Sequence, residues 1–114
     1  MREVLARTPR FRERVFTERE REYCDSRGEL AAAQHYAARF AAKEAAFKAL
    51  RTGWRGGLSW RHVEVTSTEE GAPLLQLSGH AREIFDSLGA THAHLSLSHT
   101  TEHAVAQVIF ESRG

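Results

Sequence analysis

The sequence has one cysteine, Cys24, in 114 residues. A lone thiol excludes an internal disulfide, and with no cysteine nearby it excludes a structural zinc site built on paired cysteines, so Cys24 reads as a packing residue. No apolar run approaches the roughly 18–20 residues of a membrane span. The opening Met1-Arg-Glu-Val-Leu-Ala-Arg7 also lacks the long apolar region of a secretory signal, so a cytoplasmic protein without a membrane partner is expected. Neither sign of charge dominates: 16 Lys and Arg stand against 15 Asp and Glu, a net charge of +1 that gives no electrostatic case for nucleic acid. The G-x-S-x-G elbow, the H-E-x-x-H helix and the P-loop are all missing, which removes support for the usual hydrolases and nucleotidases.

What is present fits one compact domain over residues 1–114, with 41% hydrophobic and 27% charged residues. Charge is uneven along it. Residues 1–27 carry eight Arg against six acids, residues 28–63 six Lys or Arg against two acids, and residues 64–114 two Arg against seven acids. An anionic ligand would meet the middle segment.

That segment contains the most informative stretch, Ala38-Ala-Arg-Phe-Ala-Ala-Lys-Glu-Ala-Ala-Phe-Lys-Ala-Leu50. It is free of glycine, proline and β-branched residues and predicts a helix from about Glu29 to Leu50. At about 100° per residue, Tyr36, Phe40 and Phe47 share one sector, widened by Ala33 and Ala37. Arg39 and Lys43 then border this seam on one flank, and Glu44 and Lys48 on the other. The i, i+4 spacing of Glu44 and Lys48 equally suits an ordinary surface ion pair.

Upstream, Met1 to Arg7 is open between helix and loop, ended by Pro9. Phe11, Val15 and Phe16 form a short apolar group before Thr17-Glu-Arg-Glu20, a capping box that predicts a helix from Glu18 to about Ser26, stopped near Gly28. Downstream, Gly53, Gly56 and Gly57 form a basic loop whose backbone amides can approach an anion. Alternating Val63 and Val65, a polar turn, and Leu74 to Leu77 predict a hairpin. Ala81, Ile84, Phe85 and Leu88 mark a short helix closed by Gly89. Ala93, Leu95 and Leu97, then Ala104 to Phe110, predict two more strands joined by His99-Thr-Thr-Glu-His103. Helices first and a mostly antiparallel sheet second make the class α+β.

The groups with chemistry are a turn, Ser98-His99-Thr100, a helix bearing Arg39, Lys43, Glu44 and Lys48, and the glycine loop. Donors and cations of this kind suit a polyphosphate or nucleotide. Among cations, the Glu44 carboxylate makes sense as a ligand for magnesium bridging phosphate oxygens. On spacing alone the reading stops at a small α+β domain with an anion site.

Arg39-Phe-Ala-Ala-Lys-Glu-Ala45 with Lys48-Ala49 and Thr52-Gly53, then Leu95-Ser-Leu-Ser-His-Thr100 with Ala104-Val-Ala-Gln107, resembles the holo-[acyl-carrier-protein] synthases, the small 4′-phosphopantetheinyl transferases of bacterial fatty-acid synthesis. Phe11 to Cys24 is similar to the same family, so the resemblance spans nearly the whole chain in order. It implies transfer of 4′-phosphopantetheine from coenzyme A to a serine of apo acyl carrier protein, with Mg2+, in a homotrimer with sites between subunits. Carried over by position, Glu44 matches a magnesium ligand and Lys48 a residue beside the diphosphate. Arg39, His99 and Thr100 match positions that hold the 3′-phosphate of coenzyme A. Lys43 and Gly53 fall among the coenzyme A contacts, and Arg7, Arg10, Arg14 and Arg21 in the stretch that meets the acidic carrier protein. The family normally opens with a Gly-Ile/Val-Asp strand whose aspartate is the second magnesium ligand. Met1 falls after that segment, so an N-terminally truncated domain is expected, with an inactive coenzyme A or nucleotide binder as the alternative.

Overall fold

The 22-residue helix α4 (Glu29–Leu50) is the element against which the others are stacked. In this computed structural model residues 1–8, 10–50, 58–100 and 103–113 are described. Three short helices precede α4: α1 (Arg2–Arg7), α2 (Phe11–Val15) and α3 (Glu18–Asp25). A single 3₁₀ turn (Trp60–His62) leads into strands β1 (Val63–Ser67) and β2 (Pro73–Leu77), then α5 (Gly79–Ser87), β3 (His92–His99) and β4 (Ala104–Glu111). The α+β class and the order of elements match the sequence expectation.

Local chemistry accounts for most boundaries. The capping box forms as predicted: the Thr17 hydroxyl accepts from Glu20 N and the Glu20 carboxylate accepts from Thr17 N. Gly28 and Gly89 adopt φ of 88° and 77°, left-handed values that glycine accepts without a Cβ penalty, and each ends a helical segment. The apolar group at Phe11 to Phe16, expected only as a cluster, includes the one-turn helix α2, and Val15 and Phe16 are buried.

The strands depart from the expectation of one sheet. Among the described residues they form two antiparallel two-stranded ladders, β1–β2 and β3–β4. In the second, Ala93 pairs with Phe110, Leu95 with Val108, Leu97 with Ala106 and His99 with Ala104. The half-buried members of this set face the α4 side, where β4 and β3 pack. Period-two alternation therefore carries His99 onto the same face.

Two buried clusters flank α4. Val15, Phe16, Cys24, Ala32 and Tyr36 form one, and Ala46, Phe47, Leu50, Leu58, Val63, Ala81 and Phe85 the other. Trp60 packs against both, with its ring 5.1 Å from Phe40 and 4.6 Å from Phe47.

The flank assignment for Arg39 and Lys43 is corrected by this packing. Both are interior, at 4% and 0% exposure. Because α4 is covered by α3 and β1 as well as by β3 and β4, it buries far more than one apolar stripe. The Lys43 ammonium donates to the Glu20 carboxylate at 2.8 Å, to Trp60 O at 3.1 Å and to Val63 O. Glu20 in turn accepts from Val65 N at 2.9 Å and from Thr17 N. Burial pulls the lysine pKa below its ordinary value, and the Glu20 carboxylate pulls it back.

Removing one member of such a pair strands the other. Lys43→Met should lower unfolding free energy by roughly 3 kcal/mol or more in urea titrations, and Glu20→Gln combined with Lys43→Met should recover part of that loss. The Cys24 thiol, fully buried and pushed up to about 12, should resist thiol reagents in the folded protein and react fully in denaturant.

Candidate active site

The residues singled out for chemistry separate onto two sides of α4. From Arg39, five residues to Glu44 turn the helix by about 140°, and nine residues to Lys48 by about 180°. Arg39 is buried, whereas Glu44 and Lys48 are exposed. The surface ion pair that their spacing allows does not form, and among the described residues neither makes a salt bridge. One free carboxylate and one free ammonium a turn apart can meet an oxyanion and a hard cation together.

On the other side Arg39 belongs to a cluster of cations and rings. Its guanidinium carbon lies 4.2 Å from the centroid of the Tyr23 ring, and that of Arg27 lies 4.4 Å from the same ring. The His35 ring stands edge-on to Tyr23 at 5.3 Å and contacts His99 at 5.4 Å. Burial holds the His35 pKa below its ordinary value, and Arg39, His99 and Arg27 add to the effect. Arg39 Nε is buried without a hydrogen-bond partner, and among the described residues Arg39 has no carboxylate partner. A buried guanidinium N–H left unmatched costs about 1–3 kcal/mol, so this site favours an incoming anion.

Thr100 follows His99 at the end of β3, where its amide donates to His103 O at 2.7 Å and its hydroxyl accepts from His103 N at 3.1 Å. The turn thus fixes His99 and Thr100 beside one another. Arg39 and, through His35, His99 lie on one side of α4 and Glu44 and Lys48 on the other. Lys43 reaches neither, since its ammonium is spent on Glu20 and two carbonyls. Its assignment as a coenzyme A contact is not met within this chain. Gly53 and the rest of its loop fall outside the described residues.

Of the basic residues assigned to a protein partner, Arg7, Arg10 and Arg14 are exposed. Arg21 is half-buried in a cleft of about 430 Å³ that it shares with Arg12, Glu13, Glu18, Glu22 and Asp25, an acid-rich setting unlike that of the other three. A cleft of about 630 Å³ between α1 and the start of α4, lined by Glu3, Arg12, Asp25, Glu29 and Tyr36 among others, contains none of the chemistry-bearing residues.

Sequence reasoning missed four residues. Glu20 was legible only as a cap, because nothing local shows the ammonium it meets across the fold. His35 lies i, i+4 from Arg39, a spacing that does place them on one helix face. Tyr23 and Arg27 carried no local signal.

Comparison with known proteins identifies the family. Residues 1–108 match the model of the 4′-phosphopantetheinyl transferase superfamily. The chain is 50% identical over 99 residues to the holo-[acyl-carrier-protein] synthase of Geotalea daltonii, covering 87% of this chain and 78% of that protein. It is 52% identical over 99 residues to the enzyme of the same name from Trichlorobacter lovleyi, covering 87% and 77%. The crystal structure of the Bacillus anthracis holo-(acyl-carrier-protein) synthase in complex with CoA (3′,5′-ADP) superposes with a TM-score of 0.77 at 35% identity, over 96% of this chain and 87% of that one. With the family model matching residues 1–108 and the fold agreeing over nearly its whole length, the chain belongs to the 4′-phosphopantetheinyl transferase superfamily.

Proposed function

We propose that this chain is a single-domain holo-[acyl-carrier-protein] synthase over residues 1–114. It transfers 4′-phosphopantetheine from coenzyme A to a serine of apo acyl carrier protein. The serine oxygen bonds to the phosphorus that carries pantetheine, the bond from that phosphorus to the adenosine 3′,5′-bisphosphate oxygen breaks, and the hydroxyl proton is released. The observation that carries the reading is the buried Arg39, unpaired at Nε and without an acid among the described residues, over the Tyr23 ring that also meets His35, whose ring in turn contacts His99. In its relatives' named activity, a phosphate-rich substrate is what such a site requires.

In this reading Arg39, His99 and Thr100 bind the 3′-phosphate and Lys48 balances charge on the diphosphate. Glu44 holds Mg2+. Among the described residues no group of three acids, histidines or cysteines builds a protein cage for a metal. A lone exposed carboxylate suits magnesium all the same, since magnesium commonly takes one or two carboxylates and completes its shell with phosphate oxygens and water. When bound, it supplies positive charge to the diphosphate as the leaving group departs. Lys43 serves indirectly, anchoring α4 one residue before Glu44.

The separation of Glu44 and Lys48 from Arg39 and His99 around α4 supports a site completed between subunits of a homotrimer. The outer face of β4 supports the same assembly, as Val105 and Ile109 are 65% and 52% exposed. Exposed Arg7, Arg10 and Arg14 suit an acidic carrier protein. The activity belongs to cytoplasmic fatty-acid synthesis. No helix among the described residues is long and apolar enough to cross a membrane.

Glu44→Gln should lower magnesium-dependent transfer to apo carrier protein by roughly 100-fold or more; near-normal turnover in that variant removes the role assigned to Glu44. Mixing subunits tests the assembly. Glu44→Gln and His99→Ala proteins, each inactive alone, should after unfolding and refolding together regain about a quarter of wild-type activity. Random cyclic trimers place one intact pairing in each mixed ring. No recovery on mixing means that both halves of the site lie in one subunit.

A further inference from the structure

We infer that His35 is a positioning residue for the phosphate end of the site, coupling the binding of a phosphate monoester to uptake of a proton. The inference rests on the reading that Arg39 and His99 receive the 3′-phosphate of coenzyme A. His35 lies four residues before Arg39 on α4, and its ring fills the space between Tyr23 of α3 and His99 of β3, at 5.3 Å and 5.4 Å. It is thus one side chain through which the β3 end contacts α4.

The charged and titratable groups around it come from every element packed there. Tyr23 and Arg27 approach from α3 and the turn behind it, Arg39 from α4 itself and His99 from β3. None of these is a carboxylate. In the unliganded chain, burial and these cations keep His35 below its ordinary pKa, so near neutral pH it carries a single ring proton. A cationic His35 beside two guanidiniums is unfavourable unless an anion joins them. A dianionic phosphate between Arg39 and His99 reverses the balance, because a nearby negative charge favours the protonated imidazole. The bound-state pKa then exceeds the free-state pKa, and binding takes up a proton. Affinity for a phosphate monoester should strengthen as pH falls from the bound-state toward the free-state pKa and level off below it. A ligand without that phosphate gains nothing from the same proton.

The test is titration calorimetry on the full chain with coenzyme A and with 3′-dephospho-coenzyme A, between about pH 5.5 and 8. Paired buffers of different ionisation enthalpy count protons taken up. The variants are His35→Phe, which keeps a ring without a proton, and His35→Gln, which keeps a hydrogen-bonding group without charge. Wild type should take up more protons with coenzyme A than with the dephospho form. Both variants should lose about tenfold in affinity for coenzyme A near pH 6, the size of one charge-assisted contact. Both should also lose the extra proton uptake and bind 3′-dephospho-coenzyme A within about twofold of wild type. Equal weakening for both ligands means that His35 only packs, and unchanged proton uptake means that another group titrates; either result overturns the inference. A wild-type chain that binds the two ligands equally overturns the underlying placement of the phosphate at Arg39 and His99 before His35 is considered.

Discussion

The ion pair between Lys43 and Glu20 joins the two halves of this molecule. Its atoms belong to α3 and α4, and its remaining hydrogen bonds run to the 3₁₀ turn and to β1. A charge at 0% exposure is tolerated only when each of its polar atoms finds a partner, and here the three ammonium protons meet a carboxylate and two carbonyls. The carboxylate also caps α3. Helix start, helix packing and strand entry are therefore settled by one group, and a shift of any of the three would leave a buried charge unmatched.

That constraint explains the layout of the site. With Lys43 pinned inward, helical rotation sends Glu44 and Lys48 out to solvent and turns Arg39 toward Tyr23 and the β3 end. α4 becomes a partition with unlike chemistry on its two sides, a carboxylate and an ammonium on one, guanidinium and imidazole on the other. In the proposed reading, each side of α4 meets a different phosphate of the substrate, and a second subunit brings the two sides together.

How much of this was legible depends on whether the signal was local. Helix propensity, the Thr17 cap, Gly28, Gly89 and the alternation of Ala93, Leu95 and Leu97 are local, and each predicted an element that the structure contains. His99, expected in the turn, instead ends β3, where the same parity sets it on the face toward α4. The burial of Arg39 and Lys43 was not legible, because a moment calculated around one apolar seam assumes one packed side, and α4 has several. The same limit hid α2, a single turn too short for periodicity to register, and the division of the strands into two ladders, which depends on contacts distant in sequence.

Arg39 marks the point at which stability and function diverge. Lys43 and Arg39 are one helical turn apart and equally interior, yet Lys43 has a full set of acceptors and Arg39 has an orphaned Nε. The Tyr23 ring returns some of the deficit, since a cation over an aromatic face contributes about 0.5–2 kcal/mol. An acid beside Arg39 would return more, as Glu20 does for Lys43, but it would also occupy the guanidinium and repel a phosphate. Leaving Arg39 among rings and imidazoles keeps it fixed and desolvated while its charge stays available. A fixed, desolvated cation binds a dianion more strongly than a mobile surface arginine, because its ordering and dehydration are already complete before the ligand arrives.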